Sequence, residues 1–133
     1  IQDNVIFIET YSQKDAPEIY QLADAYITMS YQDNCPTAVL EAMACGLPIL
    51  YSNSGGIPEL VDNESGLGIN VKRNWNKIIV PSSSAVSEGM EKIIENRNNM
   101  SQASRTRSVE FFDLKIWISK HQNIFEKLLE NRK

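Results

Sequence analysis

A parallel α/β sheet flanked by helices is the fold class that the sequence predicts, on three observations. Short apolar runs alternate with short helix-like segments through residues 1–71, the pattern of β-α-β units. Those runs are continuously apolar rather than alternating, as strands are when helices cover both faces of a sheet. The remainder carries apolar residues spaced by three and four, the mark of amphipathic helices.

Each element has a local reason. Val5, Ile6, Phe7 and Ile8 form a β-branched apolar run and predict a buried strand. Asp15 then reads as an N-cap, with Glu18 as its capping-box partner, for a helix to about residue 23. Residues 26–29 predict a second strand. Residues 37–45 predict a helix, ended by Gly46 with Pro48 beyond. Residues 48–51 and 67–71 predict two further strands, with a short helix over 58–61 and turn chemistry at 62–66 between them. Ile78, Ile79 and Val80 suggest a short strand, and Ser82, Ser83 and Ser84 suit an N-cap. The helix that follows carries Val86, Met90, Ile93 and Ile94 on one face. Residues 96–101 read as a break. The last helix carries Leu114, Trp117, Ile118, His121, Ile124, Phe125, Leu128 and Leu129 as one stripe.

Composition excludes several function classes. The 133 residues, 42% hydrophobic and 23% charged, make an ordinary globular mix and about one domain. No apolar run approaches the ~18 residues of a membrane span, and the opening residues do not read as a signal peptide. Cys35 and Cys45 make no disulfide framework or metal spacing, and a single histidine excludes sites built on several imidazoles. Charge is uneven. Residues 1–70 hold ten acids and one base, Lys14, whereas residues 71–133 hold twelve bases and seven acids. The acidic half argues against a nucleic-acid surface. An anion bound there must rely on backbone N–H groups or on charge from elsewhere.

Residues 33–48 carry the chemistry. Glu41 stands in a helix otherwise made of Ala38, Val39, Leu40, Ala42, Met43, Ala44 and Cys45, so its carboxylate needs a partner. The helix start, Pro36 to Ala38, offers free N–H groups and the positive end of the dipole, suited to a phosphate. Glu41 lies about one turn, ~5 Å, further along. A diphosphate joined to a ribose would fit, with the ribose hydroxyls on Glu41. Equally, Glu41 could pair with Lys14 or a backbone N–H, or reach solvent.

Together these residues resemble a known family. Asp33-x7-Glu41, Glu41-Ala-Met-Ala-Cys-Gly-Leu-Pro48, Ser54-Gly55-Gly56-Ile57-Pro58-Glu59-Leu60-Val61 and Asn63-Glu64-Ser65-Gly66 resemble, in order and spacing, the donor half of retaining family 4 glycosyltransferases of GT-B fold. The resemblance is close over residues 4–71 and loose beyond. It implies a Rossmann-like parallel sheet flanked by helices, part of the second domain of a GT-B enzyme. The implied activity is retaining transfer of a hexose from a nucleotide-sugar, the donor substrate, to an acceptor, with no cofactor and no bound metal. Glu41 matches the residue that binds the ribose, and Asp33 stands where the family has a Glu facing the transferred sugar, one methylene shorter. Asn34, Cys35, Pro36 and Thr37, leading into Ala38, match the loop whose N–H groups hold the diphosphate. Gly55 and Gly56 match a turn beside the phosphates, where a missing Cβ permits close approach.

The resemblance also implies parts that lie upstream of Ile1: strands carrying an Arg/Lys pair for the diphosphate, and the acceptor-binding domain. Residues 1–133 are then a single, N-terminally truncated domain, α/β over 1–80 and helical over 81–133, inactive by itself. A homodimer is one way to cover its sheet edge and last helix. The acceptor is a glycan or a lipid-linked sugar, and nucleic acid is no partner. The location is cytoplasmic, with a peripheral membrane position open through a lipid-linked acceptor. Two alternatives stand: a non-catalytic nucleotide-binding or assembly module, and a GT-B enzyme of other chemistry such as an epimerase or phosphorylase. His121 reads as a packed residue, Glu59 as a helix-dipole partner, and Trp75 as a partner surface or a cover for the core.

Overall fold

The computed structural model describes residues 2–131. A 3-10 turn, Gln2–Asn4, is followed by α1 (Ala16–Gln21), β1 (Tyr26–Thr28), α2 (Thr37–Ala44), β2 (Ile49–Ser52), α3 (Ile57–Leu60) and β3 (Gly66–Ile69). Three longer helices complete the chain: α4 (Ser83–Glu95), α5 (Arg97–Phe111) and α6 (Leu114–Glu130). The strands form one parallel sheet in the order β1-β2-β3, with Tyr26 opposite Ile49 and Ile49 opposite Gly66.

Strand β2 is buried along its whole length, and its alternation divides the core. Ile49 and Tyr51 join Tyr20, Val39, Met43, Ile57 and Leu60 on the side of α1, α2 and α3. Leu50 points the other way, to Ile93 of α4 and Met100 of α5. Cover on both faces accounts for the continuous apolar run of Ile49, Leu50 and Tyr51 that precedes Ser52. Helix α2 ends as its sequence predicts. Gly46 takes φ +78, and its N–H and that of Leu47 bond to the carbonyls of Met43 and Ala42.

Four expectations are corrected. Residues 5–8 form no strand, and Ile6 and Phe7 are 89% and 87% exposed. A strand needs a hydrogen-bonding neighbour, and none of the described strands pairs with them. Residues 78–80 are likewise extended without a partner. The capping box at Asp15 is absent: its carboxylate turns back to accept from the Ser12 hydroxyl at 2.7 Å, and the helix start takes no side-chain bond. The expected break over 96–101 shrinks to Asn96, because α5 begins at Arg97. Tertiary packing decides that last case. Met100, Ser104 and Ser108, spaced by four, form the buried face of α5, which packs on α2.

Helix α5 holds the end of the sheet layer through polar bonds. The Ser104 hydroxyl donates to the Leu47 carbonyl at 2.7 Å, and Arg105 reaches the carbonyl of Ala44. Arg107 donates to the carbonyls of Leu60 at 2.6 Å and Glu59 at 3.2 Å, and to Asp62 at 2.9 Å. Its guanidinium also lies 5.2 Å from the ring centre of Phe111. Burial disfavours the charged form of Asp62, but bonds from the Ser65 hydroxyl and N–H and the charge of Arg107 outweigh it and hold its carboxyl below the usual range.

A carboxylate held below its ordinary value stabilises the fold above about pH 4, and that contribution disappears as pH falls through the depressed value. Asp62→Asn is therefore expected to lower stability most near neutral pH, by about 1 kcal/mol for this partly exposed ion pair. The gap to wild type in urea unfolding should close on acidification; a gap independent of pH would contradict the assignment.

Candidate functional site

Because β1 and β2 are parallel, the loops that follow them meet at one end of the sheet. They meet backbone to backbone. The N–H of Gly56 donates to the Asp33 carbonyl at 2.8 Å. A Cβ on Gly55, which has φ +64, would lie 2.8 Å from the Asp33 nitrogen. A Cβ on Gly56 would collide with the Asn34 carbonyl. The close approach that these glycines permit is thus to the protein's own loop. Gln32, also left-handed at φ 60, turns the chain into it.

Beyond this contact the chain enters α2. Pro36 is the N-cap, extended at φ −68 and ψ 114, one position ahead of the first helical residue that proline usually favours. No side chain caps this end and no acid lies in the first turn. Val39 N–H bonds back to the Pro36 carbonyl at 3.1 Å, while the N–H groups of Thr37 and Ala38 meet no acceptor among the described residues. Thr37 and Cys35 are exposed. Two such donors, on exposed Thr37 and half-buried Ala38, therefore stand at the positive end of an eight-residue helix.

Glu41 lies one turn on and is half-buried. Among the described residues neither Lys14 nor a backbone N–H meets it; its partner there is Tyr20 of α1, whose hydroxyl donates to Oε2 at 3.3 Å and lies 3.5 Å from the Ala38 carbonyl. Burial, the neighbouring Tyr11 phenol and the charge of Glu41 raise the Tyr20 pKa far above its ordinary value, so Tyr20 keeps its proton and remains a donor. One bond leaves most of the carboxylate's acceptor capacity unused. Glu41 lines a cleft of about 240 Å3 between α1 and α2, with Gln13, Ala16, Pro17 and Tyr20.

The fold thus gathers Asp33, Asn34, Gly55 and Gly56 in one contact, sets Cys35, Pro36, Thr37 and Ala38 directly after it, and places Glu41 one turn along on the α1 side. Asp33 is half-buried and Asn34 exposed. A second cavity, of about 270 Å3, opens beside the same loops between Gln32, Asn34, Ser54, Gly55, Arg73 and Trp75. Sequence reasoning named neither Tyr20 nor Arg73 here, and only long-range pairing brings them in. His121 lies on α6, its ring stacked 3.8 Å from Trp117. Among the described residues no three His, Cys, Asp or Glu side chains group so as to hold a metal ion. Among the described residues no helix is long and apolar enough to cross a membrane.

A three-stranded parallel sheet flanked by helices, with a glycine turn and a helix end converging at the carboxyl ends of its strands, defines an α/β domain built of β-α-β units. The chain belongs to the glycosyl transferases group 1 family, whose sequence model matches residues 1–107. It is similar to spore coat protein SA of Bacillus subtilis (strain 168), 40% identical over 62 residues, which are 46% of this chain and 16% of that protein. Its fold is shared with solved GT-B glycosyltransferases. Sucrose-phosphate synthase of Thermosynechococcus elongatus superposes with a TM-score of 0.80 at 20% identity, covering 97% of this chain and 31% of that one. Anabaena HepE in complex with UDP gives a TM-score of 0.69 at 20% identity, over 89% of this chain and 30% of that one. HepE has also been solved with UDP-glucose. The chain spans 16% of the curated relative and about a third of each solved structure.

The glycine contact makes a testable contrast. Gly46→Ala meets only ordinary neighbours, the nearest at 3.5 Å, and is expected to lose about 1 kcal/mol for its left-handed backbone. Gly56 has φ −95, which any residue adopts, yet Gly56→Ala drives a methyl into the Asn34 backbone and should lose about 3 kcal/mol. Urea unfolding of the two variants decides; equal losses would contradict the backbone contact.

Proposed function

We propose that this chain is the donor half-site of a retaining, family 4 glycosyltransferase that moves a hexose from a nucleotide-sugar to an acceptor. The observation that carries this reading is the Glu41 carboxylate, which lines a cleft and meets no cation among the described residues, one turn from the N–H groups of Thr37 and Ala38, which meet no acceptor there. A nucleoside diphosphate matches that spacing, with ribose hydroxyls donating to Glu41 and phosphate oxygens accepting from the helix start. Family membership and the UDP and UDP-glucose complexes of HepE support it.

In this reading Cys35 and Pro36 lead the loop to the phosphates, Gly55 and Gly56 brace it, and Asp33 faces the transferred sugar. The α2 end would stabilise charge on the departing diphosphate as the anomeric bond breaks, an electrostatic role without bound metal. The chain works within a longer polypeptide that supplies an acceptor domain and further cations, since residues 1–70 hold one base. Alone it is inactive. The setting is the cytoplasm, and the acceptor is a glycan or a lipid-linked sugar.

Calorimetric titration with UDP, GDP and ADP, and with their 2′-deoxy forms, tests this. One ribonucleotide is expected to bind best, with its deoxy form about tenfold weaker, and Glu41→Gln should weaken the ribonucleotide by about 10- to 100-fold. In Glu41→Gln the ribo/deoxy difference should vanish. An undiminished difference in the variant would remove Glu41 from the ribose.

A further inference from the structure

Of the residues around the cavity between Gln32, Asn34, Ser54, Gly55, Arg73 and Trp75, that reading uses Gly55 alone, as a brace, and the outer wall comes from the loop after β3. This loop is held. The Tyr31 hydroxyl accepts from the Asn74 N–H at 2.6 Å and donates to the Asn74 carbonyl at 2.8 Å. The Asn74 side-chain oxygen accepts from the N–H groups of Asn76 at 2.8 Å and Lys77 at 3.1 Å. Tyr31 belongs to the loop that carries Gln32 and Asn34, so one phenol fixes both walls of the cavity relative to each other. On the tethered turn sits Trp75, 90% exposed, its large apolar face left in water within a polar stretch. Arg73, two residues earlier, brings a cation to the acidic half of the chain.

The lining is chemically specific. It pairs one broad aromatic face with two amide side chains, which both donate and accept, and a guanidinium, which donates. A flat apolar ligand would leave the amides unpaired, and a bare anion would leave the indole exposed. A pyranose ring satisfies both, having a face of C–H groups and a rim of hydroxyls. The volume, about 270 Å3, sits just below the ~300–1,000 Å3 of sites for drug-sized ligands and suits one ring.

We propose that segment 73–75 is a hexose platform: Trp75 stacks on the apolar face of a hexopyranose ring, and Gln32, Asn34 and Arg73 bond its hydroxyls. This rests on the nucleotide-sugar reading above. The ring is that of the donor or of the acceptor, and the platform acts on specificity for sugar, with no part in binding the nucleotide.

The test is calorimetry on the full-length protein with three probes: the nucleoside diphosphate that binds best, its hexose conjugate, and methyl α-glucoside added with that diphosphate. In wild type, either the conjugate binds about tenfold tighter than the diphosphate, which marks the donor ring, or the glucoside binds measurably, which marks the acceptor ring. Trp75→Ala should reduce that gain to twofold or less with diphosphate affinity unchanged, Trp75→Phe should retain most of it, and Arg73→Ala should reduce it in part. Trp75 is exposed, so these variants are expected to keep the wild-type melting temperature. A sugar gain that Trp75→Ala leaves intact, or no sugar gain from either probe, overturns the platform while the nucleotide reading stands. Absence of binding by every diphosphate overturns both.

Discussion

The contact between the Gly55-Gly56 turn and the backbone of Asp33 and Asn34 is the constraint on which the site depends. Two loops from adjacent parallel strands leave the sheet at the same end, and they can touch only because neither glycine carries a Cβ. The contact fixes where residues 33–36 run, hence where α2 begins and which way its free N–H groups point. The helix cannot slide along this loop, because its other end is also held: Gly46 closes it and α5 binds the carbonyls of Ala44 and Leu47. A helix fixed at both ends presents Glu41 at a set distance from its positive terminus.

Electrostatics follows from the same frame. The first half of the chain is strongly acidic, yet the first turn of α2 holds no acid, and its end is left to backbone donors. Glu41 is satisfied only in part, by a long bond from a tyrosine that stays protonated. A half-buried carboxylate with one neutral partner keeps a demand for further donors. Arg73 brings a cation beside the loops, delivered through the bond between Tyr31 and Asn74, and not through sequence neighbours.

What the sequence makes legible follows from how local each cause is. The three strands, α2 and its glycine stop are legible because a continuous apolar run and a Gly past a helix end act within a few residues. Residues 5–8 mislead because apolarity says that a surface wants covering and not what covers it. Helix α5 is hidden because two of its three buried residues are serines, one of which bonds a carbonyl 57 positions away. For the site, the Asp33-x7-Glu41 spacing places both carboxylates about a known helix start. The partner of Glu41 lies 21 residues away on α1, and the wall formed by Arg73 and Trp75 is reached by a bond spanning 43 residues. Such pairings leave no periodic trace in the chain.

The most direct measurement of the central claim is a backbone amide NMR titration of the protein with the nucleoside diphosphate it binds best. If the α2 start holds the diphosphate, the amides of Thr37 and Ala38 should show the largest saturable shifts. Gly55 and Gly56 should follow, while amides near Asp62 and Arg107 stay in place. Saturable shifts that map elsewhere, with Thr37 and Ala38 unmoved, would contradict the account.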